Sequence, residues 1–303
     1  LQAYWFAHAA VRMEQGGISI SLGRFDQDFY KYYKNDMDSG VINEDMAEEL
    51  MECLWLKFAE TNLFNPNPQE AFTSRQAITI GGVDLRGFDA TNDLTYLAIK
   101  VHGSVQLYQP GLSLRCHSLM PQKLLTEALR VIRKGGGMPA LFNDDAYIPI
   151  LINRGASLED ARDYAIIGCV EPQVQHKTWG NCSAGKFNIP KCVMLALHNG
   201  VDVKKDKETS IGAGYVVSYD GANKEVERLG VETGDPRSFK NFDELLDAFS
   251  KQVAHFVKLQ IQSENAAEMA HAVNAPCPLS SVMHEDCIEN GKDVTSGGAR
   301  YNW

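Results

Sequence analysis

The architecture of this chain can be read outward from GCVEPQ, residues 168–173, which closes an apolar run. That run predicts a strand over residues 164–170, and residues i and i+2 of a strand face the same side. Cys169 and Glu171 should therefore project together, a thiol beside a carboxylate, while Val170 packs on the other side. From spacing alone, the alternative is a cysteine packed like a small hydrophobic residue and a solvated glutamate.

The residues that flank this pair indicate where on the strand it lies. Gly168 has no side chain, so a second backbone or a ligand can approach closely there, and Pro172 cannot donate a ladder hydrogen bond. We therefore expect the pair at a strand terminus. Strand ends are where α/β folds place their binding sites.

Helix and strand signals alternate along the rest of the chain, which indicates an α/β fold. No internal repeat or linker divides it, so we expect a single domain or a large piece of one. Asn43 is a candidate cap for a helix with an apolar residue at every fourth position, and Ser157 for a shorter one. The other predicted strands are 18–22, 77–80 and 112–116, and the other predicted helices are 1–15, 94–101, 121–132, 187–199 and 242–262.

Composition excludes several classes of function. The net charge of -10 leaves no basic surface for nucleic acid. We find neither an apolar run long enough for a membrane span nor a signal peptide. The seven cysteines never occur in CxxC spacing, so neither a disulfide framework nor a zinc ribbon is expected. Dinucleotide, Walker, HExxH and GxSxG motifs are missing from the sequence.

Three blocks of sequence together resemble the glycyl radical enzymes, the pyruvate formate-lyase-like family. They are GCVEPQ, SLGRFDQ at 21–27 and GKDVTSGGARYN at 291–302, in that family's order. The resemblance implies part of a ten-stranded β/α barrel, built from two five-stranded halves and ringed by helices. It also implies that Cys169 carries a transient thiyl radical and that Glu171 is a general base. Within the second block, Arg24, Asp26 and Gln27 are expected to brace the barrel.

The resemblance favours a lyase that begins with a thiyl radical. Acyltransferases of the family use two adjacent cysteines, whereas Cys169 follows a glycine, and enzymes that add hydrocarbons to fumarate generally lack the acid present as Glu171. The remaining reaction is radical elimination of water, an amine or sulfite from a small polar substrate. The alternatives are a radical decarboxylase of a small carboxylic acid, or an inactive or structural member of the family.

Substrate contacts are assigned by the same resemblance. Diol dehydratases typically have a histidine and a serine ahead of the SxGRxDQ block, where this chain has Ile18 and Ser19. They also have a histidine and an aspartate after the cysteine, where this chain has Cys182 and Ser183. Apolar or more weakly binding side chains therefore replace two groups that bind substrate hydroxyls, which disfavours simple diols as substrates. If Lys186 faces the pocket, it suits a carboxylate or sulfonate; the alternative is that it extends to solvent.

Two further side chains, His176 and Trp179, could line the site, but packing of their loop is favoured. No Arg-Val-x-Gly-Tyr loop, which stores the radical in the family, occurs in these residues. We therefore expect residues 1–303 to be the central portion of a catalytic barrel, without the N-terminal helices and the C-terminal glycyl radical loop, and inactive alone.

The resemblance also implies partners and a setting for the whole enzyme. A separate activating enzyme with S-adenosylmethionine and an iron–sulfur cluster would install the glycyl radical, and no metal is expected in this chain. A homodimer in an anaerobic cytoplasm is expected. Enclosure in a bacterial microcompartment is left open.

Overall fold

A computed structural model describes residues 1–15, 19–60, 75–180, 187–202, 210–212, 215–217 and 228–302. The chain divides into two compact units, Leu1–Gly180 together with Cys277–Trp303, and Asn181–Pro276. The helices are α1 Gln2–Gln15, α2 Phe25–Asp28, α3 Tyr30–Asp38, α4 Glu44–Glu60, α5 Asp93–Val105, α6 Gln122–Ile132, α7 Asp144–Asn153, α8 Leu158–Arg162, α9 Ile189–Ala196, α10 Phe242–Asn274, α11 Pro278–Val282 and α12 Cys287–Asn290.

The first unit is built on a four-stranded parallel sheet. Its strands are β1 Ser19–Arg24, β2 Arg75–Gly81, β3 Gly111–Cys116 and β4 Ala140–Asn143. They lie in the order β1-β2-β3-β4, so each strand pairs with the next one along the chain. Helices α5 and α6 supply the last two crossovers, as parallel pairing requires.

The two faces of this sheet carry different side chains. Ile78, Ile80, Leu112 and Leu114 are fully buried in the core that includes Trp55 of α4. On the other face, the first part of β1 and the alternate positions of β2 and β3 ahead of Arg115 carry small or hydroxyl side chains: Ser19, Ser21, Ala77, Thr79, Gly111 and Ser113. The second face therefore leaves room for another segment of chain to lie close to the sheet.

A β-hairpin occupies that room. Strands β5 (Tyr164–Ile167) and β6 (Glu171–Val174) pair antiparallel. Ile166 lies over the sheet because its N–H donates to Thr79 Oγ1 at 2.8 Å and its carbonyl accepts from Ser21 Oγ at 2.9 Å. Since both backbone groups of Ile166 bind the sheet, the missing N–H of its partner Pro172 removes no hydrogen bond.

The second unit contains α9, α10 and a short antiparallel pair, β7 Ser210–Gly212 and β8 Tyr215–Val217. Gln252 of α10 is fully buried, and its side-chain amide makes two hydrogen bonds to the backbone of Val231. Its Oε1 accepts from the N–H of Val231 at 3.0 Å, and its Nε2 donates to the carbonyl of Val231 at 2.7 Å.

The α/β class and most of the predicted elements are confirmed. The predicted strand over 164–170 is wrong, because β5 ends at Ile167 and the chain then turns. Helix α10 continues to Asn274, twelve residues beyond the predicted 262, and β4 was not predicted. Over the described residues the parallel sheet has four strands, and a closed barrel is not seen. Among the described helices, none is both long and apolar enough to span a membrane.

Acid should destabilise this fold through His102. Its Nδ1 accepts from Trp55 Nε1 at 3.3 Å, and burial lowers the pKa of His102 to about 4. Between pH 6.5 and pH 4 the unfolded chain binds a proton that the folded chain excludes, so stability falls as pH falls. The loss should be on the order of 2–3 kcal/mol between pH 7 and pH 4.5.

We expect His102→Gln to reduce this pH dependence, since glutamine can accept the same hydrogen bond without titrating. Thermal unfolding of the full-length protein at pH 7 and at pH 4.5 measures the effect. His8 is a second contributor of the same sign, because burial lowers its pKa to about 4. The variant with both histidines replaced by glutamine should therefore show an even weaker dependence of stability on pH. A pH dependence identical to that of the native protein would contradict the role of these histidines.

Candidate active site

The tip of the hairpin carries both residues singled out by the sequence. Cys169 lies in the three-residue turn between β5 and β6, and Glu171 is the first residue of β6, paired with Ile167. They do not share one face of an extended strand, as the spacing had suggested. The turn forms because Gly168 adopts a left-handed conformation with φ of +61°, which a glycine reaches without strain.

The carboxylate of Glu171 folds back onto this turn. Its Oε2 accepts hydrogen bonds from the backbone N–H of Cys169 at 2.8 Å and of Val170 at 2.9 Å. Within the described part of the chain, Oε1 has no hydrogen-bond partner. One oxygen therefore fixes the carboxylate beside the cysteine backbone, and the other can accept a proton.

Ser19, at the start of β1, joins the same small region. A Cβ atom placed on Gly168 would lie 3.0 Å from Glu171 Oε2 and 3.1 Å from Ser19 Oγ. A hydroxyl and a carboxylate thus converge on the glycine that precedes the cysteine. The structure brings Ser19, Cys169 and Glu171 together, three of the six residues predicted for the site.

The other three predicted residues, Cys182, Ser183 and Lys186, lie outside the described residues, so their placement stays a prediction. The indole of Trp179 packs against the small core formed by Cys277, Cys287, Val294 and Ala299, so the packing interpretation is confirmed for this residue. His176 is exposed, and its carbonyl accepts from the N–H of Glu285 at 2.7 Å.

A cavity of about 290 Å³ adjoins the tip of the hairpin. Gly168 and Cys169 form part of its wall, and Ala77 and Gly111 from the sheet form another part. Ser113 is also in the wall, and its hydroxyl has no hydrogen-bond partner among the described residues. This volume is at the lower end for ligand pockets and suits a small molecule. A pocket beside Cys169 was predicted, but the residues of the sheet that line this cavity were not.

The base of the hairpin is held by Arg24, which a bulge in β1 turns toward the hairpin. Its side chain is 2% exposed, and its guanidinium donates to Asp163 Oδ1 at 3.1 Å and to the carbonyl of Val83 at 2.8 Å. Asp26 accepts from the N–H of Gly81 at 2.8 Å, and Gln27 donates to the carbonyl of Ala90 at 2.9 Å. These three residues therefore bind backbone and side-chain groups around the sheet and the start of the hairpin, and their role in bracing a barrel stays a prediction.

A second buried arginine was missed. Arg115, at the end of β3, forms a bidentate ion pair with Asp144 and also donates to two backbone carbonyls at the start of the hairpin. Its signal in the sequence is a charged residue in an otherwise uncharged strand, GLSLRC at 111–116. A full charge on a buried strand requires a partner, which the sequence pattern alone did not identify.

These observations define an α/β protein whose thiol and carboxylate lie at the tip of one hairpin, beside a small cavity. The chain belongs to the pyruvate formate lyase-like family, whose model matches residues 1–303. The family comprises glycyl radical enzymes, and the relatives of this chain place it in the lyase and dehydratase branch.

Two curated relatives and one solved structure illustrate the similarity. Trans-4-hydroxy-L-proline dehydratase of Clostridioides difficile is 35% identical over 312 residues, which is 100% of this chain and 36% of the relative. Isethionate sulfite-lyase of Desulfovibrio desulfuricans is 34% identical over 299 residues, 97% of this chain and 34% of the relative.

The solved structure is that of the hydroxyproline dehydratase of Clostridioides difficile with trans-4-hydroxy-L-proline bound. It matches with a TM-score of 0.85 at 35% identity, over 99% of this chain and 36% of that one. The chain thus spans about a third of the length of the relatives it matches.

Replacing Gly168 by alanine should destabilise the protein beyond ordinary backbone strain. An L residue in the left-handed region costs about 1–2 kcal/mol. At Gly168 the new methyl would also displace Ser19 and Glu171 and weaken the hydrogen bonds of Glu171, each worth about 1 kcal/mol. Thermal unfolding of the full-length protein measures the loss.

The matched control is Gly291→Ala. Gly291 has nearly the same φ, +59°, and a Cβ atom there would meet nothing within 4 Å. Only the strain should appear in this variant. Equal losses of thermal stability in the two variants would show that the crowding around Gly168 has no energetic weight.

Proposed function

We propose that the full-length protein is a glycyl radical lyase that eliminates water, an amine or sulfite from a small polar substrate. The observation that carries the proposal is the pairing of Cys169 with a carboxylate whose Oε2 is held by the turn and whose Oε1 is available. The names of the relatives, a dehydratase and a sulfite-lyase, support elimination as the reaction.

In the proposed reaction Cys169 acts as a thiyl radical. Its sulfur takes a hydrogen atom from a carbon that bears a hydroxyl or an amine nitrogen, next to the carbon with the leaving group, so a C–H bond breaks and an S–H bond forms. Glu171 Oε1 accepts a proton from that hydroxyl or nitrogen, a contribution typically worth about 10²–10⁴ in rate. The substrate radical expels the neighbouring group with its bonding electron pair, and Glu171 returns the proton to that group. The product radical then recovers a hydrogen atom from Cys169.

The substrate is proposed to be small and anionic. The named substrates of the two relatives above, hydroxyproline and isethionate, carry a carboxylate and a sulfonate. If Lys186 faces the pocket, its ammonium group would balance that charge. Ser19 lies beside Glu171 and is proposed to bind the substrate hydroxyl, with Cys182 and Ser183 as further contacts.

The remaining parts of the enzyme are proposed from the family. A glycyl radical on a loop outside these residues would supply the unpaired electron, installed by an activating enzyme with S-adenosylmethionine and an iron–sulfur cluster. The side chain of Cys169 is exposed in this chain, which suits a thiol that must meet such a loop. The four-stranded sheet is proposed to be part of a ten-stranded barrel, in a homodimer that works in an anaerobic cytoplasm.

Cys169→Ala tests the radical role. The full-length enzyme is activated, its glycyl radical is measured by electron paramagnetic resonance, and turnover of hydroxyproline, isethionate, choline and diols is assayed. We expect the variant to form the glycyl radical and to lose all turnover, because no thiol can relay the hydrogen atom. Cys53→Ala, at an exposed position in α4, is the control and should keep native turnover. Turnover that survives Cys169→Ala would refute the proposal.

Glu171→Gln tests the base. Glutamine can keep an oxygen near the backbone N–H groups of the turn but cannot accept a proton at neutral pH. We expect native radical content and a fall in turnover of about 10²–10⁴. Retained turnover would remove Glu171 from the mechanism. A protein that never yields a glycyl radical or a product would favour an inactive or structural family member.

A further inference from the structure

We propose that Arg115 is a positioning residue for the reaction: together with Asp144 and Tyr164 it holds the base of the hairpin and thereby sets the position of Cys169 at its tip. The inference rests on the proposed function, because it concerns the thiol that is proposed to carry the radical. It names residues that contact neither substrate nor radical and act through the hairpin.

The ion pair at the centre of this arrangement is closed to solvent. The side chain of Arg115 is 0% exposed and that of Asp144 is 1% exposed. Nε of the arginine donates to Oδ1 at 2.8 Å, and Nη2 donates to Oδ2 at 2.9 Å. Such a bidentate geometry fixes the plane of the guanidinium as well as its position.

The remaining donors of Arg115 bind the hairpin itself. Nη1 donates to the carbonyl of Tyr164, the first residue of β5, at 3.0 Å. Nη2 donates to the carbonyl of Arg162 at 2.9 Å. The guanidinium carbon lies 4.0 Å from the centre of the Tyr164 ring, so the side chain stacks on the residue whose backbone it binds.

Tyr164 and Asp144 close the network. The Tyr164 hydroxyl donates to Asp144 Oδ1 at 2.7 Å, and burial raises the pKa of Tyr164 far above its usual range, so the hydroxyl stays a donor. Asp144 Oδ2 also accepts from the N–H of Val83, just after β2, at 2.9 Å. The hairpin base is therefore bound through side-chain and backbone groups to the ends of two neighbouring strands.

Because Cys169 lies at the far end of the hairpin, a small tilt at the base of the hairpin shifts the position of its thiol. At about 3.4 Å per residue, the end of β5 at Ile167 lies roughly 10 Å from Tyr164, so a tilt of roughly 6° at the base would move the tip that carries Cys169 by about 1 Å. A misplacement of about 1 Å can cost about 10² in rate. The tip itself is exposed at Cys169 and Val170, so the hydrogen bonds farther back along the hairpin must supply the precision.

Arg115→Lys is the decisive variant. Lysine keeps the charge for Asp144 but cannot also reach both carbonyls with a planar fork. In the activated full-length enzyme we expect kcat per glycyl radical to fall about 10²-fold, with KM changed less than threefold and with radical content near native. Arg130→Lys, which alters an exposed pair with Glu127, is the control and should change neither constant.

A readout independent of turnover is exchange in deuterated water. The Cys169 thiol takes up deuterium from solvent, and reversible hydrogen-atom transfer then places it on the radical glycine, which collapses the doublet in the resonance spectrum to a singlet. We expect this collapse to be about tenfold or more slower in Arg115→Lys. In Cys169→Ala it should not occur.

Tyr164→Phe is the milder variant, for the case in which Arg115→Lys does not fold. It removes the hydroxyl bond to Asp144 and keeps the ring and the carbonyl bound by Arg115, so a smaller loss of kcat per radical is expected. Losses confined to radical content or melting temperature, with native kcat per radical and native exchange, would overturn the positioning role. Turnover that does not depend on Cys169 would instead refute the proposed function.

Discussion

The buried ion pair of Arg115 with Asp144 is the constraint on which the described part of the site depends. Both charges are out of water, so each requires the other, and removal of one partner would leave an uncompensated charge in the interior. In the observed bidentate geometry, the remaining Nη1 of Arg115 binds the carbonyl of Tyr164 at the start of the hairpin. Sheet, helix α7 and hairpin are therefore placed by the same few hydrogen bonds.

As a result, the hairpin is fixed at its base and exposed to solvent at its tip. At the base of the hairpin Tyr164 is 0% exposed, whereas Val170 at the tip is 57% exposed. In the proposed reaction the thiol of Cys169 would have to reach both a radical store and a substrate, which needs an accessible tip, and hydrogen-atom transfer would need an exact distance. Attachment at the base of the hairpin would supply that distance without covering Cys169. Glu171 is then positioned by the turn itself, through the backbone N–H groups beside it.

Much of this could be predicted from local patterns. The apolar alternation in β2 and β3 and the capping residues Asn43 and Ser157 indicated an α/β fold, since neighbours two to four residues apart determine strands and helix ends. The three motif blocks indicated the family, which the match over residues 1–303 confirms. The hairpin turn was missed because a left-handed Gly168 followed by a short loop has nearly the same apolar pattern as a continuous strand.

The sequence by itself determined most of the elements and the family, and it singled out the thiol of Cys169 and the carboxylate of Glu171. Only the tertiary structure decided that Cys169 lies on a turn, that Ser19 and Glu171 both approach Gly168 beside it, and that Arg115 pairs with Asp144. These contacts join residues from 29 to about 150 positions apart, which no local pattern encodes. They arise because four parallel strands in sequential order bring their ends together. The buried charge of Arg115 then requires an opposite charge nearby, which Asp144 supplies.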